Sequence, residues 1–319
     1  MTSDPGQDTD AARCIVVGHA ALDHVYRIER FPDAPVKMPA LEHIDSGGGM
    51  AANAAAAIGR LGGRVQLWSR IGNDAAGQTI RQHLEDAGVD ITHLKTIQNA
   101  RSSTAAILVD ARGERLIVSE RDHAMPMEAD WLPIGQIKDA GAVVSDLNWR
   151  EATLISFDAA RRYGVPTLVD IDLGCGVIPE DILARTDYAV ISAGALERFS
   201  PGDTLKARLG GVAARGVRHV GVTLGAEGYR WLAENGELRE QSSFIVDVID
   251  TTGAGDAFHG GFAWALAQRL PIEECVRVAA AVAALSCRRL GARDGLPSRE
   301  ELDAFLLAAS GRGIGGRSA

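Results

Sequence analysis

The chain of 319 residues is poor in cysteine, and its cysteines are not arranged as metal ligands or disulfide pairs usually are. Cys14, Cys175, Cys275 and Cys287 are far apart in the sequence and form no C-x-x-C motif. Disulfide-stabilised domains and cysteine metal sites use many or closely spaced cysteines. We therefore interpret all four as reduced thiols in a cytosolic protein.

The sequence also lacks a long apolar segment, an excess of basic residues and a secretion signal. No run of 18 apolar residues occurs, so no membrane-spanning helix is expected. The formal net charge of −9 argues against a nucleic-acid-binding surface. We predict a disordered tail over the acidic residues 1–12 and a flexible tail over 311–319. We expect a cytoplasmic protein with neither a membrane nor a nucleic-acid partner.

Short apolar segments alternate with helical patterns over most of the chain. Such an order predicts a mostly parallel sheet covered by helices on both faces, which is a three-layer α/β/α fold. The predicted strands lie at 14–20, 65–72, 141–147, 166–173, 188–192 and 219–225. The predicted helices lie at 50–63, 75–88 and 151–164, followed by three near 255–269, 272–289 and 298–309.

Two segments interrupt this alternation. Residues 23–46 contain prolines and an alternating pattern, and residues 103–120 are typical of a hairpin with an Ala-Arg-Gly turn. We predict that the two segments pair as a small β-sheet that acts as a lid. The α/β core would then consist of 13–22, 47–102 and 121–310.

The segment "DTTGAGDAF" at 250–258 carries the clearest chemical signal. Gly253 and Gly255 permit a tight turn whose amides form an anion site, and the following helix adds its dipole. Asp256 either caps this helix or serves as a base beside the amides. Phosphoryl transfer requires donors for the phosphate charge and a group that orients the nucleophile. The flanking "TTGAG" favours the second interpretation.

The sequence "DTTGAGDAFHGGF" closely resembles the C-terminal signature of the ribokinase-like (PfkB) carbohydrate kinases, and "SGGGMAANAAAAIGRLGG" at 46–63 resembles their N-terminal signature. The resemblance extends from Cys14 to about Leu307. It implies that Asp256 is the catalytic base. It also implies an anion hole formed by the amides of Gly253, Ala254 and Gly255.

The resemblance also implies a sugar site. Gly48, Gly49 and Asn53 match the glycine pair and the asparagine that bind sugar hydroxyls, and Asp23 matches an aspartate that binds two hydroxyls. The implied reaction is ATP-dependent phosphorylation of a sugar hydroxyl, with a primary hydroxyl expected.

Within the family, 102–118, 128–132 and 244–260 are most similar to the sulfofructose kinases. The implied acceptor is therefore a ketohexose or a modified ketohexose such as sulfofructose. Lys37 matches the lysine that binds the sulfonate in that subgroup. Ser119 and Asn148 replace its asparagine and arginine. Arg121 and Arg150 lie nearby in sequence, either as replacements for the lost contacts or as solvated surface arginines.

A nucleotide site is implied by the similarity of "VTLGAEGYRW" at 222–231 to the strand and glycine turn that line it. Many relatives carry an N-x-x-E motif that acts on Mg²⁺. Ser192 and Ala195 occupy the corresponding positions in this chain. ATP oxygens and water would therefore hold the ion. Asp250 and Thr251 match part of a monovalent-cation site that could bind K⁺. Asp250 could instead brace the loop. The residues predicted to bind ATP are Ser192, Thr223, Gly225, Gly228 and Thr252.

Other functions are less well supported by the sequence. A nucleoside kinase of the same fold would offer stacking aromatic residues in the lid, which contains only Tyr26 and Phe31. Gly47, Gly49 and Ala52 fit a GxGxxA dinucleotide pattern, but an NADP-dependent oxidoreductase would leave "TTGAGD" unexplained. A sugar-sensing relative without activity would be expected to lose Asp256. Because lid sheets of this family often pair between subunits, we expect a homodimer.

Overall fold

The computed structural model describes residues 13–122, 124–173 and 180–310, and every statement below refers to these residues. Cys175 and the two predicted tails, 1–12 and 311–319, lie outside them. The strands are β1 (Arg13–Val17), β2 (Ala21–Arg27), β3 (Glu42–Gly48), β4 (Val65–Gly72), β5 (Leu94–Ile97), β6 (Ser103–Val109), β7 (Arg115–Glu120), β8 (Ala140–Ser145), β9 (Thr167–Ile171), β10 (Tyr188–Ser192), β11 (His219–Thr223), β12 (Tyr229–Leu232) and β13 (Leu238–Gln241). The helices are α1 (Met50–Arg60), α2 (Ala75–Asp86), α3 (Arg150–Tyr163), α4 (Glu180–Leu183), α5 (Ala193–Phe199), α6 (Leu205–Ala213), α7 (Ala254–Ala267), α8 (Ile272–Ser286) and α9 (Arg299–Ser310).

The main sheet has the strand order β13-β12-β11-β10-β9-β8-β1-β4-β5. The pairs from β5 to β11 are parallel, and β12 and β13 continue the sheet in the antiparallel sense. Each predicted strand of the alternating region is present, so the prediction of a mostly parallel α/β sheet is confirmed. The two antiparallel strands at the edge were not part of that prediction.

The sheet is buried on both faces because successive strand residues point to opposite sides. On one face, Val16 and Leu168 pack with the alanines of α1 and with α7 and α8. On the other face, Ile15 and Val169 pack with α3, α5 and α6. No helix within the described ranges combines the length and the apolar composition that a membrane span needs.

A second, four-stranded sheet has the order β3-β2-β6-β7. The strands β2 and β3 are antiparallel, β2 and β6 are parallel, and β6 and β7 form an antiparallel hairpin. The two segments that interrupted the alternation therefore do pair with each other. The sheet extends two residues further at each end than the predicted 23–46, because Ala21 pairs with Gly48. Its movement as a lid stays a prediction.

The structure removes the basis for a dinucleotide-binding interpretation of Gly47, Gly49 and Ala52. That interpretation requires the glycine motif to connect a strand of the parallel sheet to its crossover helix. Here Gly47 lies in β3 of the small sheet, and Gly49 leads from that strand into α1. They therefore join the two sheets.

Candidate active site

The predicted anion site lies at the beginning of α7. Gly253 precedes the helix with φ of 71°, in the left-handed region that favours glycine. A Cβ atom at this position would lie 2.6 Å from Cβ of Ala292, so the packing also requires glycine. The first amides of a helix have no partner within it. The Ala254 amide makes a long hydrogen bond of 3.3 Å back to the Thr251 carbonyl oxygen. A bound phosphate would have to share this amide with the carbonyl.

Asp256 lies in the first turn of α7 and is held by α1. Asn53 Nδ2 donates a hydrogen bond of 2.7 Å to Asp256 Oδ2. The two helices approach closely because Gly260 of α7 faces α1, where a Cβ atom would lie 2.6 Å from the Ala54 carbonyl oxygen and from Cβ of Ala57. The small residues of both signatures thus bring the predicted base and the predicted sugar-binding asparagine into contact.

Burial raises the pKa of Asp256 well above its ordinary value, and repulsion from Asp170 raises it further. The hydrogen bond from Asn53 and the nearby His259 act in the opposite direction. The carboxylate is partly buried and lies near a second acid. It is therefore a stronger proton acceptor than an exposed aspartate.

His259 connects the helix start to Asp170 on β9. Its Nδ1 atom lies 2.7 Å from the Gly255 carbonyl oxygen, and its Nε2 atom lies 3.3 Å from Asp170 Oδ1. Since a carbonyl only accepts, Nδ1 carries a proton. Burial lowers the pKa of His259, whereas burial and repulsion by Asp172 raise the pKa of Asp170 well above normal. The Nε2 atom also lies 3.4 Å from the Val190 carbonyl oxygen, so two oxygen atoms flank this side of the ring.

The predicted sugar-binding residues lie where the small sheet meets α1. Asp23 on β2 is buried, and a Cβ atom on Gly48 would lie 2.1 Å from Asp23 Oδ1. Gly49 has φ of 86° and lies against the His19 carbonyl, which a Cβ atom would approach to 2.5 Å. Gly48 therefore makes room for the Asp23 carboxylate, and Gly49 permits the close approach of the chain to His19. Burial raises the pKa of Asp23 to about 6, against the opposing effect of Arg293.

Arg293 is part of this site and was missed by sequence reasoning. Its Nε atom donates to Asn53 Oδ1 at 2.8 Å, and its Nη2 atom donates to the Gly48 carbonyl at 2.9 Å. A Cβ atom on Gly47 would lie within 2.2 Å of the guanidinium. The available signal was an arginine in the segment "GARDG" at 291–295, shortly before α9.

The residues predicted to bind an anionic substituent are not brought together. Lys37 and Ser119 are exposed, and within the described residues neither side chain makes a hydrogen bond or an ion pair. Asn148 follows β8 and accepts a hydrogen bond of 2.6 Å from Arg121 Nη1. Arg150 instead pairs with Asp181 at the surface. Of the two candidate arginines, only Arg121 is therefore in contact with one of the predicted positions.

Two of the residues predicted to bind the nucleotide lie at the carboxyl ends of neighbouring strands, where α/β folds bind ligands, whereas Gly228 directly precedes β12 and Thr252 lies in the loop before α7. Ser192 ends β10 in register with Thr223, which ends β11. Ser192 Oγ donates to Asp172 Oδ1 at 2.6 Å and accepts from the Ala195 amide at 3.3 Å, so it caps α5. Gly228 has φ of 95°, and a Cβ atom there would lie 2.1 Å from the Gln241 carbonyl oxygen.

Asp250 braces the loop before α7. Its Oδ1 atom accepts from the amide and the hydroxyl of Thr252, at 2.8 and 2.7 Å, and its Oδ2 atom accepts from the Gly291 amide at 2.9 Å. Thr251 accepts a hydrogen bond of 2.7 Å from Arg115 of β7, which links the small sheet to this loop. These bonds support the bracing role of Asp250. A monovalent-cation site at Asp250 and Thr251 stays a prediction.

Grouped metal-ligating side chains occur in the described residues only on the small sheet, where ligand atoms of His24, His43 and Asp45 lie within 4.8 Å of one another. His24 follows Asp23 on β2, and successive residues of a strand point to opposite faces of the sheet. This group therefore does not face the site of Asp23 and Asp256.

The arrangement as a whole suits phosphoryl transfer to an alcohol. A partly buried carboxylate lies in the first turn of a helix, and hydrogen bonds through Asn53 and Arg293 link it to Gly48, against which a second carboxylate packs. The fold and the site together define a sugar phosphotransferase.

Comparison with known proteins agrees with this class. The model of the pfkB family of carbohydrate kinases matches residues 11–299, and the chain belongs to this family. The chain is 31% identical to a ribokinase of Arabidopsis thaliana over 92% of this chain and 81% of that protein. It is 28% identical to a ribokinase of Haemophilus influenzae over 91% and 97% of the two chains.

Solved structures show the same relationship. The structure of Arabidopsis thaliana ribokinase complexed with ribose and ATP is similar with a TM-score of 0.81 and 28% identity, covering 93% of this chain and 99% of that one. The prediction of a carbohydrate kinase is thereby confirmed. The similarity to the sulfofructose kinase subgroup receives no support from these relatives, which are named ribokinases.

Proposed function

We propose that the protein transfers the γ-phosphoryl group of ATP to a sugar hydroxyl, with Asp256 as the base. The observation that carries this proposal is the partly buried Asp256 carboxylate at the start of α7, which Asn53 and Arg293 link by hydrogen bonds to Gly48, against which Asp23 packs. Asp256 would take the hydroxyl proton as the oxygen attacks phosphorus. The amides of Gly253, Ala254 and Gly255 would stabilise the charge on the phosphoryl group.

The sugar would be bound by Asp23, Gly48, Gly49 and Asn53. A buried carboxylate accepts hydrogen bonds from two hydroxyls, and the Gly48–Gly49 backbone allows a ring to approach without a side chain between them. The small sheet would close over the sugar and exclude water, which would suppress ATP hydrolysis.

ATP would lie along the strand ends at Ser192, Thr223, Gly225, Gly228 and Thr252. Mg²⁺, when bound with ATP, would neutralise phosphate charge. Since Ser192 and Ala195 replace the N-x-x-E motif, ATP oxygens and water would hold most of its coordination sphere. An effect of K⁺ at Asp250 and Thr251 is tested by measuring ADP release in potassium chloride and in choline chloride at equal ionic strength.

We propose as acceptor the primary hydroxyl of a ketohexose or of a modified ketohexose such as sulfofructose. Lys37 supports an acceptor that carries an anionic substituent, because an exposed lysine without a partner is available to bind a negative charge. Arg121 supports it as well, because it reaches Asn148 beside the site. The names of the curated relatives favour a pentose instead, so the acceptor must be decided by assay.

The experiment is ADP release from ATP over a panel of acceptors with the full chain. The panel contains D-fructose, sulfofructose, phosphorylated ketohexoses, D-ribose, deoxyribose, ribose 1-phosphate and nucleosides. Turnover of a ketohexose supports the full proposal. Turnover of a pentose or a nucleoside alone would overturn the acceptor assignment, and the absence of any turnover would overturn the function.

A homodimer formed through the small sheet is proposed on the basis of its outer strand. In β7, Leu116, Ile117 and Val118 are 46, 55 and 63% exposed, which is unusual for three consecutive apolar residues on an edge strand. Light scattering coupled to gel filtration should give twice the mass of one chain, and Val118→Glu should reduce it to one. A monomeric wild type would contradict this proposal. The proposed location is the cytoplasm.

A further inference from the structure

We propose that Arg293 is the positioning residue of this site: it orients Asn53 towards Asp256 and aligns the Gly48 backbone beside the sugar-binding carboxylate Asp23. The inference rests on the proposed function only for the roles given to Asp256 and Asp23. It concerns a residue that belongs to neither signature and reaches the site from the segment before α9.

The orientation of Asn53 depends on a donor at its oxygen. The amide of an asparagine has a donating and an accepting end of nearly the same shape, and its orientation is set by its partners. Arg293 Nε donates to Oδ1 at 2.8 Å, which directs Nδ2 to Asp256 at 2.7 Å. If Asn53 turned over, its oxygen would face the carboxylate oxygen of Asp256. Arg293 therefore determines which end of the amide the base contacts.

The position of the guanidinium is set at two points. The second bond, from Nη2 to the Gly48 carbonyl at 2.9 Å, connects Arg293 to the same glycine whose missing side chain makes room for Asp23. Gly47 has to be a glycine because the guanidinium occupies the space of its Cβ atom. One planar side chain thus aligns the Gly48 backbone and the Asn53 amide, a geometry that a lysine does not reproduce.

The charge of Arg293 is surrounded by acids. Asp23, Asp256 and Asp294 are the charged groups that stabilise the buried guanidinium. Near Asp23, the groups that favour its ionised form are Arg293 and His24. A buried carboxylate in this pocket must stay ionised to accept hydroxyls from a sugar. The guanidinium is the permanent positive charge that favours this state.

A purely structural role explains the arginine less well. Its Nη1 atom is buried and has no hydrogen-bond partner among the described residues. A buried charge with an unmade hydrogen bond is costly for folding, and an apolar side chain of similar volume would avoid that cost. The contacts that Arg293 does make are directed to residues of the site.

The test compares Arg293→Lys and Arg293→Gln with the control Arg289→Gln. Arg289 lies on the same segment and is exposed, with one bond from Nη1 to the Asp294 carbonyl. Lysine keeps the charge and loses the two-point geometry, whereas glutamine loses the charge. The first readout needs no substrate: ¹³C-carboxyl-labelled aspartate is titrated by NMR, and Asp23→Asn assigns the resonance of Asp23.

The expected result is a pKa of Asp23 raised by about one unit in Arg293→Gln and unchanged in Arg293→Lys and in the control. With the sugar that the acceptor panel identifies, kcat should fall about 10- to 100-fold in both Arg293 variants, because both lose the alignment of Asn53. The acid limb of kcat/KM should move to higher pH only in Arg293→Gln.

An unchanged pKa of Asp23 in a folded Arg293→Gln variant would overturn the charge role. If Arg293→Gln does not fold, Arg293→Lys decides, since a wild-type kcat in that variant would overturn the positioning role. A wild-type protein without any sugar turnover would instead contradict the proposed function, while the NMR titration would still test the effect of Arg293 on Asp23.

Discussion

The core side of the candidate site and its lid side differ in how firmly the protein holds their residues. On the core side, where β2 and β3 of the small sheet meet α1 and α7, Asp256, Asn53, Arg293 and Gly48 form a continuous chain of hydrogen bonds, and Asp23 packs against it. On the lid side, Lys37 and Ser119 are exposed and make no side-chain bond to any described residue. The difference supports the proposal that the firmly held residues take part in the reaction and that the exposed lid residues select the sugar.

The largest effect is expected at the base. Asp256→Asn should lower kcat by about 10²- to 10⁴-fold, because the amide cannot take the hydroxyl proton. Sugar binding should persist, since the substitution keeps the shape of the side chain. ADP release and isothermal titration of the sugar measure the two properties. Asp303→Asn on the exposed face of α9 is the control, and normal phosphorylation by Asp256→Asn would contradict the mechanism.

A smaller effect is expected from filling the space between the glycine pair and Asp23. In Gly48→Ala, the new Cβ atom would lie 2.1 Å from Asp23 Oδ1 and would displace the carboxylate. The sugar KM should rise about 10- to 100-fold, as displacement by about an ångström commonly does. Gly210→Ala in α6 is a matched control, because a Cβ atom there meets nothing within 4 Å. Equal KM values for the two variants would argue against Asp23 as a sugar ligand.

Protonation of Asp23 should also lower the activity of the enzyme at acid pH. Burial raises the pKa of Asp23 to about 6 from 3.8, so the carboxylate becomes protonated as the pH falls through about 6. A protonated Asp23 accepts fewer hydroxyls, and kcat/KM should therefore fall below this pH by up to tenfold per unit. Profiles of the wild type and of Asp23→Asn from pH 5 to 8 test this expectation, because the comparison separates Asp23 from Asp256, whose pKa burial also raises. A flat profile across pH 6 would show that Asp23 binds equally well in both forms.

The smallest effect is expected on the lid side and for one class of sugar only. Lys37→Met should raise the KM for sulfofructose about 2- to 5-fold, because an exposed charge pair contributes at most about 1 kcal/mol. The KM for D-fructose should not change. Lys138→Met, which removes another exposed lysine, is the control. An equal change of KM for both sugars would show that Lys37 affects the shape of the lid and does not bind the negative charge of the sugar.

Most of the architecture could be predicted from the sequence because it depends on local patterns. Buried parallel strands appear as short apolar runs, and β10 was predicted at 188–192, where the structure places it. The pairing of the two interrupting segments was also predicted, since neither suits a crossover. The extension of the small sheet to Ala21 and Gly48 was not, because strand ends depend on the partner strand and carry little sequence signal.

The candidate site was predicted in part. Its signature residues, such as Asp256 and Asn53, were recognisable because they occur in short motifs beside turns. The role of Ser192 as a helix cap bonded to Asp172 and the linkage of His259 to Asp170 were not evident. These contacts involve single residues on separate strands and helices, and no spacing within a motif reveals them.

By itself, the sequence determined the order of the elements, the glycines that permit the turn before α7 and the chemical groups that this turn presents. These follow from the conformational freedom of glycine, the periodicity of apolar residues and the amides at a helix start. Only the tertiary structure decided that Arg293 orients Asn53 and that Asn53 contacts Asp256, residues 240 and 203 positions apart in the chain. The physical reason is that a hydrogen bond depends on distance and direction in space, which only the packing of α1, α7 and the segment before α9 brings within range.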